Sequence, residues 1–593
     1  MSTLFHGYKK LKYGDLSLLY KEGEIRQVCL GRVQIINAIY AAVRDQNWTT
    51  IPFKVSKETI EKVEDGFTIE LSLRYSMGKI LYNARMSIEA TGNKLLMNYD
   101  GEAGSTFLRN RIGLCILHPL KECRGEPVLI SHPEGSPTEG CFPELISPDQ
   151  PFKNISGMYW TPGKGITAGL IFEGEVFESE DQRNWTDASY KTYCTPLDRP
   201  FPAKVEKGDQ IHQSVSLMVE PKTGPDQPLA IHNNTSSIPE KRILNLDPDK
   251  TYPLPGLGAM RTTELKSMTQ EELKILSALP LHHYRVDLHL AKDQWKEIYN
   301  SAASEQHHLG WPLELVLHFG ANPNQELEAF LKHYSPHPVT IRHLLVFDQD
   351  FLSNKELLNQ VVPRLNTALR DIPVGGGSEA NFAELNRKPP DAELLDFISY
   401  SICPQIHAFD KLTLMENLEA QPESVKSALS LMGKPVSIGA LTLKQRFNAV
   451  ATDNDEDSQP LPESDPRQHS SFSAGWTLSS IRNLALAGAS SLTYFETVGP
   501  RGILCRQDIP ERHSPLYQLF KEILTGDPRQ VIQTESSHPL EFDGLALQGQ
   551  SEGKLLLANY TAKELSIECA GLPGIPQKLT LKPSEIYKIS YTP

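Results

Sequence analysis

Apolar and polar residues alternate in short runs through the first third of the chain, as in FTIELSLRYS, KLLMNYDGEA and HQSVSLMVEP. Gly, Asn, Asp and Pro residues separate these runs. A period of two places the apolar side chains on one face of a strand, and closely spaced turn residues favour antiparallel neighbours. The pattern predicts an N-terminal antiparallel β-sandwich domain over residues 1–222.

The pattern changes after a segment rich in Pro, Asn and Ser, which we predict to be a linker over residues 223–242. Helical stretches such as TQEELKILSAL and NQELEAFLKHY then separate short apolar runs such as LELVLHFG, IRHLLVFD and SSLTYFE. Alternating strands and helices of this spacing are typical of parallel βα units. We therefore predict a (β/α)8 TIM-like barrel over residues 243–530, with its closure inferred because an eighth strand is not obvious.

Alternation returns near the end of the chain in LEFDGLALQGQ, GKLLLANYT and KELSIECAG. These runs predict a small C-terminal β-domain over residues 531–593, so the fold class is multidomain, α/β plus all-β. Within the barrel, the acidic and Pro-rich run TDNDEDSQPLPESDPRQHSS indicates a solvated loop, with a mobile lid as the alternative.

Charge and composition narrow the class of partner. The formal net charge of −14 disfavours a nucleic-acid or anionic membrane surface, and a small ligand fits better. The start of the chain lacks a signal-like apolar segment, and no run is long enough to span a membrane. The eight cysteines contain no CxxC pair. We expect a cytoplasmic protein with free thiols, and a homo-oligomer is left open.

Barrel enzymes take their catalytic side chains from the carboxyl ends of the strands and from the loops that follow. This rule selects a set of polar residues after the predicted strands: Arg285, Asp287, His289, His318, Asp348, Asp350, Glu379, Asn381, Glu384, Gln405, His407, Asp410, Thr442, Lys444, Arg446 and Glu496.

Two carboxylates in this set are candidates for the general base. Glu496 ends the apolar run SLTYFE, and its structural alternative is a strand-end carboxylate that reaches water. Glu384 follows a run of three glycines, which would let the backbone approach a ligand closely. Its alternative is a first-turn helix residue favoured by the helix dipole.

His407 and Asp410 form a third candidate, because a carboxylate three residues away could orient an imidazole base. The alternative for Asp410 is to start the helix KLTLMENLEAQ. Thr413 and Glu416 in TLME predict a capping box, which makes Glu416 structural.

Three further barrel candidates, Arg285, Asp287 and Arg446, are assigned to substrate binding. Arg285 or Arg446 would hold the oxyanion or the substrate hydroxyls. No HExxH, clustered Cys/His set, calcium loop or GxSxG is present. We therefore expect no dedicated metal site and no cofactor, and water activated by a carboxylate or His rather than a Ser nucleophile.

The segment EDQRNWTDASYKTY, residues 180–193, concentrates polar and aromatic side chains in the β-domain. We predict that Asp181, Asn184 and Asp187 complete a sugar pocket at the barrel mouth. The alternative is a buried polar network at the seam between two domains, with Arg183 bridging carboxylates.

Several long fragments carry a family resemblance. NRIGLCILHPL, FPELISPDQPFK and EDQRNWTDASYKTY in the first domain, with VGGGSEANFAELNR, PQIHAFD, LTLKQRFN and SLTYFETVGPRG in the second, resemble the bacterial D-apionate lactonases in collinear order. The resemblance implies a cytoplasmic enzyme that hydrolyses D-apionolactone to D-apionate in D-apiose breakdown. The expected partner is a small-molecule sugar lactone.

Two other functions remain open. A glycoside hydrolase would use Glu384 as acid and Glu496 as nucleophile or base, with carboxyl groups about 5–5.5 Å apart for retention or about 6.5–9.5 Å for inversion. A non-catalytic carbohydrate-binding protein would bind the ligand without turnover.

Overall fold

The computed structural model describes residues 3–163, 165–221, 241–264, 267–447, 464–506 and 514–592. Most of the predicted linker lies outside these ranges. So does the greater part of the acidic run proposed as a loop or lid.

Antiparallel strands with alternating burial make up the N-terminal domain. In chain order they are β1 Lys9–Tyr13, β2 Leu16–Lys21, β3 Glu24–Leu30, β4 Val33–Asp45, β5 Phe53–Val63, β6 Gly66–Met77, β7 Ile80–Thr91, β8 Lys94–Ala103, β9 Phe107–Pro119, β10 Pro127–Ser131, β11 Thr138–Cys141, β12 Phe152–Ile155, β13 Gly157–Gly163, β14 Ile166–Glu173, β15 Phe177–Asp181, β16 Ser189–Tyr193, β17 Ala203–Val205 and β18 Gln210–Pro221, with the short helix α1 Leu120–Cys123 after β9.

These strands form two sheets that face each other. One runs in the order β1-β2-β3-β4-β9-β16-β15-β12, with β17 also on β9, and the other in the order β11-β10-β13-β14-β18-β8-β7-β6-β5. Apolar residues of both sheets, such as Val28 and Ile39 from the first and Ile88 and Met97 from the second, share one core. The predicted β-sandwich is confirmed.

After strand β19 (Ile243–Pro253), parallel strands and helices alternate. The strands are β20 Gly256–Met260, β21 His283–His289, β22 Leu313–His318, β23 Ile341–Phe347, β24 Val374–Gly377, β25 Phe397–Ile402, β26 Val436–Leu441, β27 Ser491–Val498 and β28 Gly502–Leu504. The helices are α2 Gln270–Leu276, α3 Trp295–Leu309, α4 Pro323–Tyr334, α5 Lys355–Ala368, α6 Phe382–Arg387, α7 Lys411–Glu416, α8 Gln421–Met432, α9 Ser471–Leu486 and α10 Pro515–Leu524.

The barrel is closed because β20 pairs in parallel with both β21 and β27. This confirms the predicted TIM-like barrel and supplies the strand that was not obvious in the sequence. That strand has the sequence GLGAM and is buried along its whole length. Its glycines leave no alternating or continuous apolar pattern to recognise.

Side chains cap several barrel helices and so fix where each helix begins. Thr269 and Glu272 form a reciprocal capping box at α2. Asn354, Ser470 and Ser514 accept backbone N–H groups at the starts of α5, α9 and α10. Each cap satisfies a donor that the first helical turn would otherwise leave unpaired.

The C-terminal sheet combines β19 with β29 Gln530–Ser536, β30 Phe542–Gln548, β31 Gly553–Asn559, β32 Leu565–Ala570, β33 Lys578–Leu581 and β34 Ile586–Tyr591. β19 is antiparallel to β29 and parallel to β32. The segment 243–253, which we assigned to the barrel, therefore belongs to the C-terminal sheet. The order of elements along the chain could not reveal this, because β29 and β32, the strands that pair with β19, follow the whole barrel in the sequence.

Candidate active site

A cleft of about 320 Å³ opens at the carboxyl ends of the barrel strands. The loops after β24, β25 and β26 contribute its walls, which include Glu379, Asn381, Cys403, Thr442, Arg446 and Phe447. This end of a parallel barrel is where such enzymes place their chemistry. The cleft is therefore the candidate active site.

Arginine and carboxylate side chains form a charged cluster along one wall. The buried Arg285 donates from Nε to Asp287 Oδ1 at 3.0 Å and from Nη2 to Glu379 Oε1 at 2.6 Å. Arg446 donates to the same Glu379 oxygen and to Asp287 Oδ2, each at 2.6 Å. The structure thus brings Arg285, Asp287 and Arg446 together, as their strand-end positions suggested.

Glu379 is the central carboxylate of this cluster. Burial opposes its ionisation, but His318, Arg446 and Arg285 outweigh that effect and hold the pKa of its carboxyl well below its usual range. His318 Nε2 lies 2.8 Å from Glu379 Oε2, and the His318 ring stacks on His289 at 4.3 Å between centroids. Sequence reasoning placed Glu379 among the strand-end residues but chose Glu384 instead.

The three glycines before Glu379 serve packing rather than close approach of a ligand. A Cβ on Gly375 would lie 2.3 Å from the Phe397 ring, and one on Gly377 would lie 2.2 Å from the Ser399 carbonyl oxygen. Strand β24 therefore needs glycine to fit against β25. The expectation that these glycines approach a ligand is corrected.

A second polar group joins the two domains beside the cleft. His407 Nδ1 lies 2.5 Å from Asp187 Oδ2, and Asn417 Nδ2 donates to Asp187 Oδ1 at 2.9 Å. Among the described residues, no hydrogen-bond partner engages His407 Nε2. The same Asn417 amide donates to the Pro404 carbonyl oxygen at 3.1 Å, and Pro404 follows the cleft-lining Cys403 in the chain. His407, on the same loop, and Asp187 therefore lie next to the cleft wall, although neither residue lines the cleft.

Asp410 does not orient His407, contrary to our expectation. Its carboxylate caps helix α7 by accepting from Thr413 N at 3.0 Å and from Thr413 Oγ1 at 2.7 Å. The predicted capping box of Thr413 and Glu416 is therefore also wrong. Glu416 instead forms an ion pair with Arg26 of the sandwich, so it remains a structural residue.

Glu496 is held by hydrogen bonds on both oxygens. Its Oε2 accepts from Thr262 Oγ1 at 3.1 Å and from Thr263 N at 3.3 Å. Its Oε1 accepts from Thr263 Oγ1 at 2.8 Å and from Arg501 Nε at 2.9 Å. This buried carboxylate ties the end of β27 to the segment after β20, which leaves it poorly placed to act as a base.

Glu384 lies on α6 and is half-buried, and it is outside the lining of the cleft. Burial raises the pKa of its carboxyl. Its Oε2 has no hydrogen-bond partner among the described residues. The geometry therefore separates Glu384 from the charged cluster that contains Glu379.

Most of the segment 180–193 holds the domain seam. Arg183 binds Asp181 through two hydrogen bonds, of 2.9 Å from Nε and 2.7 Å from Nη2. Asn184 donates to the Ser147 carbonyl at 2.6 Å and accepts from Asn386 of helix α6 at 3.0 Å. Because protein groups occupy the polar atoms of Asp181 and Asn184, the pocket role expected for them is corrected. Among the described residues, Asp187 is the one of these three that contacts a barrel-mouth candidate, His407.

The fold and the site define a barrel-type enzyme with a charged cleft at the carboxyl ends of its strands. The family model for the N-terminal domain of D-apionate lactonase matches residues 4–222, and that for its TIM barrel domain matches residues 257–526. This chain belongs to the D-apionate lactonase family and is a lactone-hydrolysing enzyme.

Individual relatives and solved structures resemble this chain at low sequence identity. The D-apionate lactonase of Brucella anthropi is 28% identical, over 98% of this chain and 96% of its own length. An α-L-arabinofuranosidase from Thermotoga maritima has a TM-score of 0.43 at 10% identity, covering 60% of this chain and 98% of its own. A β-arabinopyranosidase has a TM-score of 0.30 at 9% identity, covering 99% of this chain and 98% of its own. Across the described ranges, no helix is long and apolar enough to cross a membrane.

Proposed function

We propose that this lactonase opens D-apionolactone to D-apionate in the breakdown of D-apiose. The name of the relative from Brucella anthropi supports this substrate, because the similarity extends over nearly the whole of both chains.

The cleft offers both kinds of contact that a sugar lactone needs. Arg446, Asn381 and Thr442 supply polar groups for hydroxyl and carbonyl oxygens. Phe447 supplies an apolar surface, and its ring stacks on Phe351 at 4.3 Å with an interplanar angle of 26°. Aromatic faces pack well against the C–H surface of a sugar ring.

The Asp187–His407 pair, whose histidine lies on the loop that follows the cleft-lining Cys403, is the observation that carries the mechanism. With Nδ1–H donated to Asp187, the other ring nitrogen of His407 becomes the basic one. His407 Nε2 takes a proton from water, whose oxygen bonds to the lactone carbonyl carbon. Arg446 stabilises the oxyanion that forms.

Collapse of the tetrahedral intermediate breaks the bond between the carbonyl carbon and the ring oxygen, and the ring oxygen takes the proton from His407. The new carboxylic acid then ionises, so each turnover releases one proton. Glu379 stays ionised and holds Arg285 and Arg446 in place.

The experiment is proton release in weakly buffered solution. Purified protein is mixed with D-apionolactone, with other aldonolactones and with an aryl glycoside, and spontaneous ring opening is subtracted. Rapid acid release on D-apionolactone, with slower release on the other lactones, is expected. Glycoside cleavage without lactone opening would replace the proposal with the hydrolase alternative.

A matched pair of variants tests the assigned base. His407→Ala should abolish most of the acid release. His132→Ala, at a half-buried histidine of the sandwich, should leave it unchanged. Equal activity of the two variants would show that His407 is not the base.

A further inference from the structure

Three side chains from different barrel strands converge next to the cleft. Asp287 lies near the end of β21, His318 ends β22 and Glu379 follows β24, and one ligand atom from each lies within 4.8 Å of the others. His318 is 4% exposed and Glu379 is 1% exposed. Within the described part of the chain, His318 Nδ1 has no hydrogen-bond partner, and His318 Nε2 faces Glu379 Oε2 at 2.8 Å.

We propose that Asp287, His318 and Glu379 bind a divalent cation of the Zn²⁺ or Mn²⁺ class. A buried polar atom without a partner is costly and uncommon, and the His318 ring carries one where the three side chains converge. Imidazole nitrogen and carboxylate oxygen are ligands that these ions accept. Three protein ligands also leave coordination positions open, as catalytic metal sites do.

The two arginines orient the carboxylates without using all of their lone pairs. Both guanidinium groups bind Glu379 through Oε1, which leaves Oε2 directed at His318. Each oxygen of Asp287 accepts one hydrogen bond from an arginine and retains a second lone pair. Metal-binding side chains are regularly oriented by such hydrogen bonds from surrounding residues.

The location gives the ion a use in the reaction. Glu379 lines the cleft, so an ion bound to its Oε2 would stand beside the bound lactone. There it could polarise the carbonyl oxygen or bind the attacking water. The inference goes beyond the proposed function and replaces the expectation of a metal-free enzyme. Ion binding can be measured without any turnover.

Co²⁺ is the probe for the test, because its visible absorption reports its ligands. The full-length protein is dialysed against EDTA and then against metal-free buffer, and is titrated with CoCl₂. Bound metal is measured by equilibrium dialysis with elemental analysis. The expected result is about one Co²⁺ per chain, and a rise in Tm because the ion binds the folded state.

Two variants and one control assign the site. His318→Ala and Asp287→Asn should each weaken Co²⁺ binding at least tenfold. Asp287 is the less buried ligand, so its variant keeps the test valid if His318→Ala fails to fold. His212→Ala removes an exposed contact of 2.6 Å with Asp100 and should bind Co²⁺ as the wild type does.

The proposal is overturned if the wild type takes up no Co²⁺, or if both ligand variants bind it as tightly as the wild type. The 2.8 Å contact would then be an ordinary His–carboxylate ion pair. Co²⁺ bound at this site by a protein that opens no lactone would refute the proposed substrate and leave the metal site standing.

Discussion

Replacing Asp187 by Asn should remove the orientation of His407 while keeping the shape of the side chain. Asp187 accepts from His407 Nδ1 at 2.5 Å and from Asn417 Nδ2 at 2.9 Å, so both of its oxygens are engaged. In the Asp187→Asn variant, an amide N–H in place of Oδ2 can donate to His407 Nδ1. The proton of the neutral imidazole ring would then reside on Nε2. The nitrogen required as the base would then carry a proton.

The size of the effect follows from the role assigned to the pair. A positioned general base contributes about 10²- to 10⁴-fold to the rate. Loss of that contribution raises the activation free energy by about 2.7–5.4 kcal/mol. Loss of a hydrogen bond to a charged group should also lower the free energy of unfolding by about 1.5–3 kcal/mol. We expect a large fall in kcat, a small change in KM and a modest fall in Tm.

The assay is initial-rate proton release across a range of lactone concentrations, combined with thermal unfolding of the same samples. Asn184→Ala is the matched control. Asn184 lies on the same segment and bonds across the seam to Asn386, and among the described residues none of its hydrogen bonds involves His407. It should lower Tm while kcat stays within about threefold of the wild type.

The reasoning fails if Asp187→Asn and Asn184→Ala behave alike. A shared fall in Tm with kcat preserved in both would make Asp187 a seam residue. The dependence of kcat on pH distinguishes a base-orienting role of Asp187 from a role in the domain seam. If Asp187 orients the base, Asp187→Asn should lose the plateau of kcat at high pH.

Three further outcomes test other parts of the structure. Arg446→Lys should lower kcat/KM by about 10²- to 10³-fold in the lactone assay, since an ammonium group cannot bridge two carboxylates and serve the oxyanion as a planar guanidinium does; an unchanged kcat/KM would remove Arg446 from the mechanism. Glu496→Gln should lower Tm but keep kcat within about threefold, because its oxygens hold a structural link; a hundredfold loss of kcat would restore it as a candidate base. Burial lowers the pKa of His118 to about 3, so between pH 6.5 and 3 the folded state binds fewer protons than the unfolded one, and stability should fall by about 1.4 kcal/mol per unit as the pH drops. His118→Gln should remove that part of the acid sensitivity in unfolding curves, and identical pH dependence in both proteins would contradict it.

Local patterns in the chain were enough to predict the architecture. Alternation with a period of two marked the sandwich strands, since it reports directly which side chains face a core. Alternating strands and helices predicted the barrel, and the strand-end rule then selected Arg285, Asp287 and Arg446, which meet in one cluster. The carboxyl ends of parallel strands lie at the same edge whatever their order in the chain.

Only the tertiary structure decided which distant groups pair. The partner of His407 is Asp187, 220 positions away in another domain, whereas the nearby Asp410 caps a helix. Strand β19 joins a sheet formed mainly by the last segments of the chain, and the glycine-rich strand β20 closes the barrel. Local periodicity records the burial of a residue, but the identity of its neighbour depends on domain packing and on the hydrogen bonds left to satisfy, which no local pattern contains.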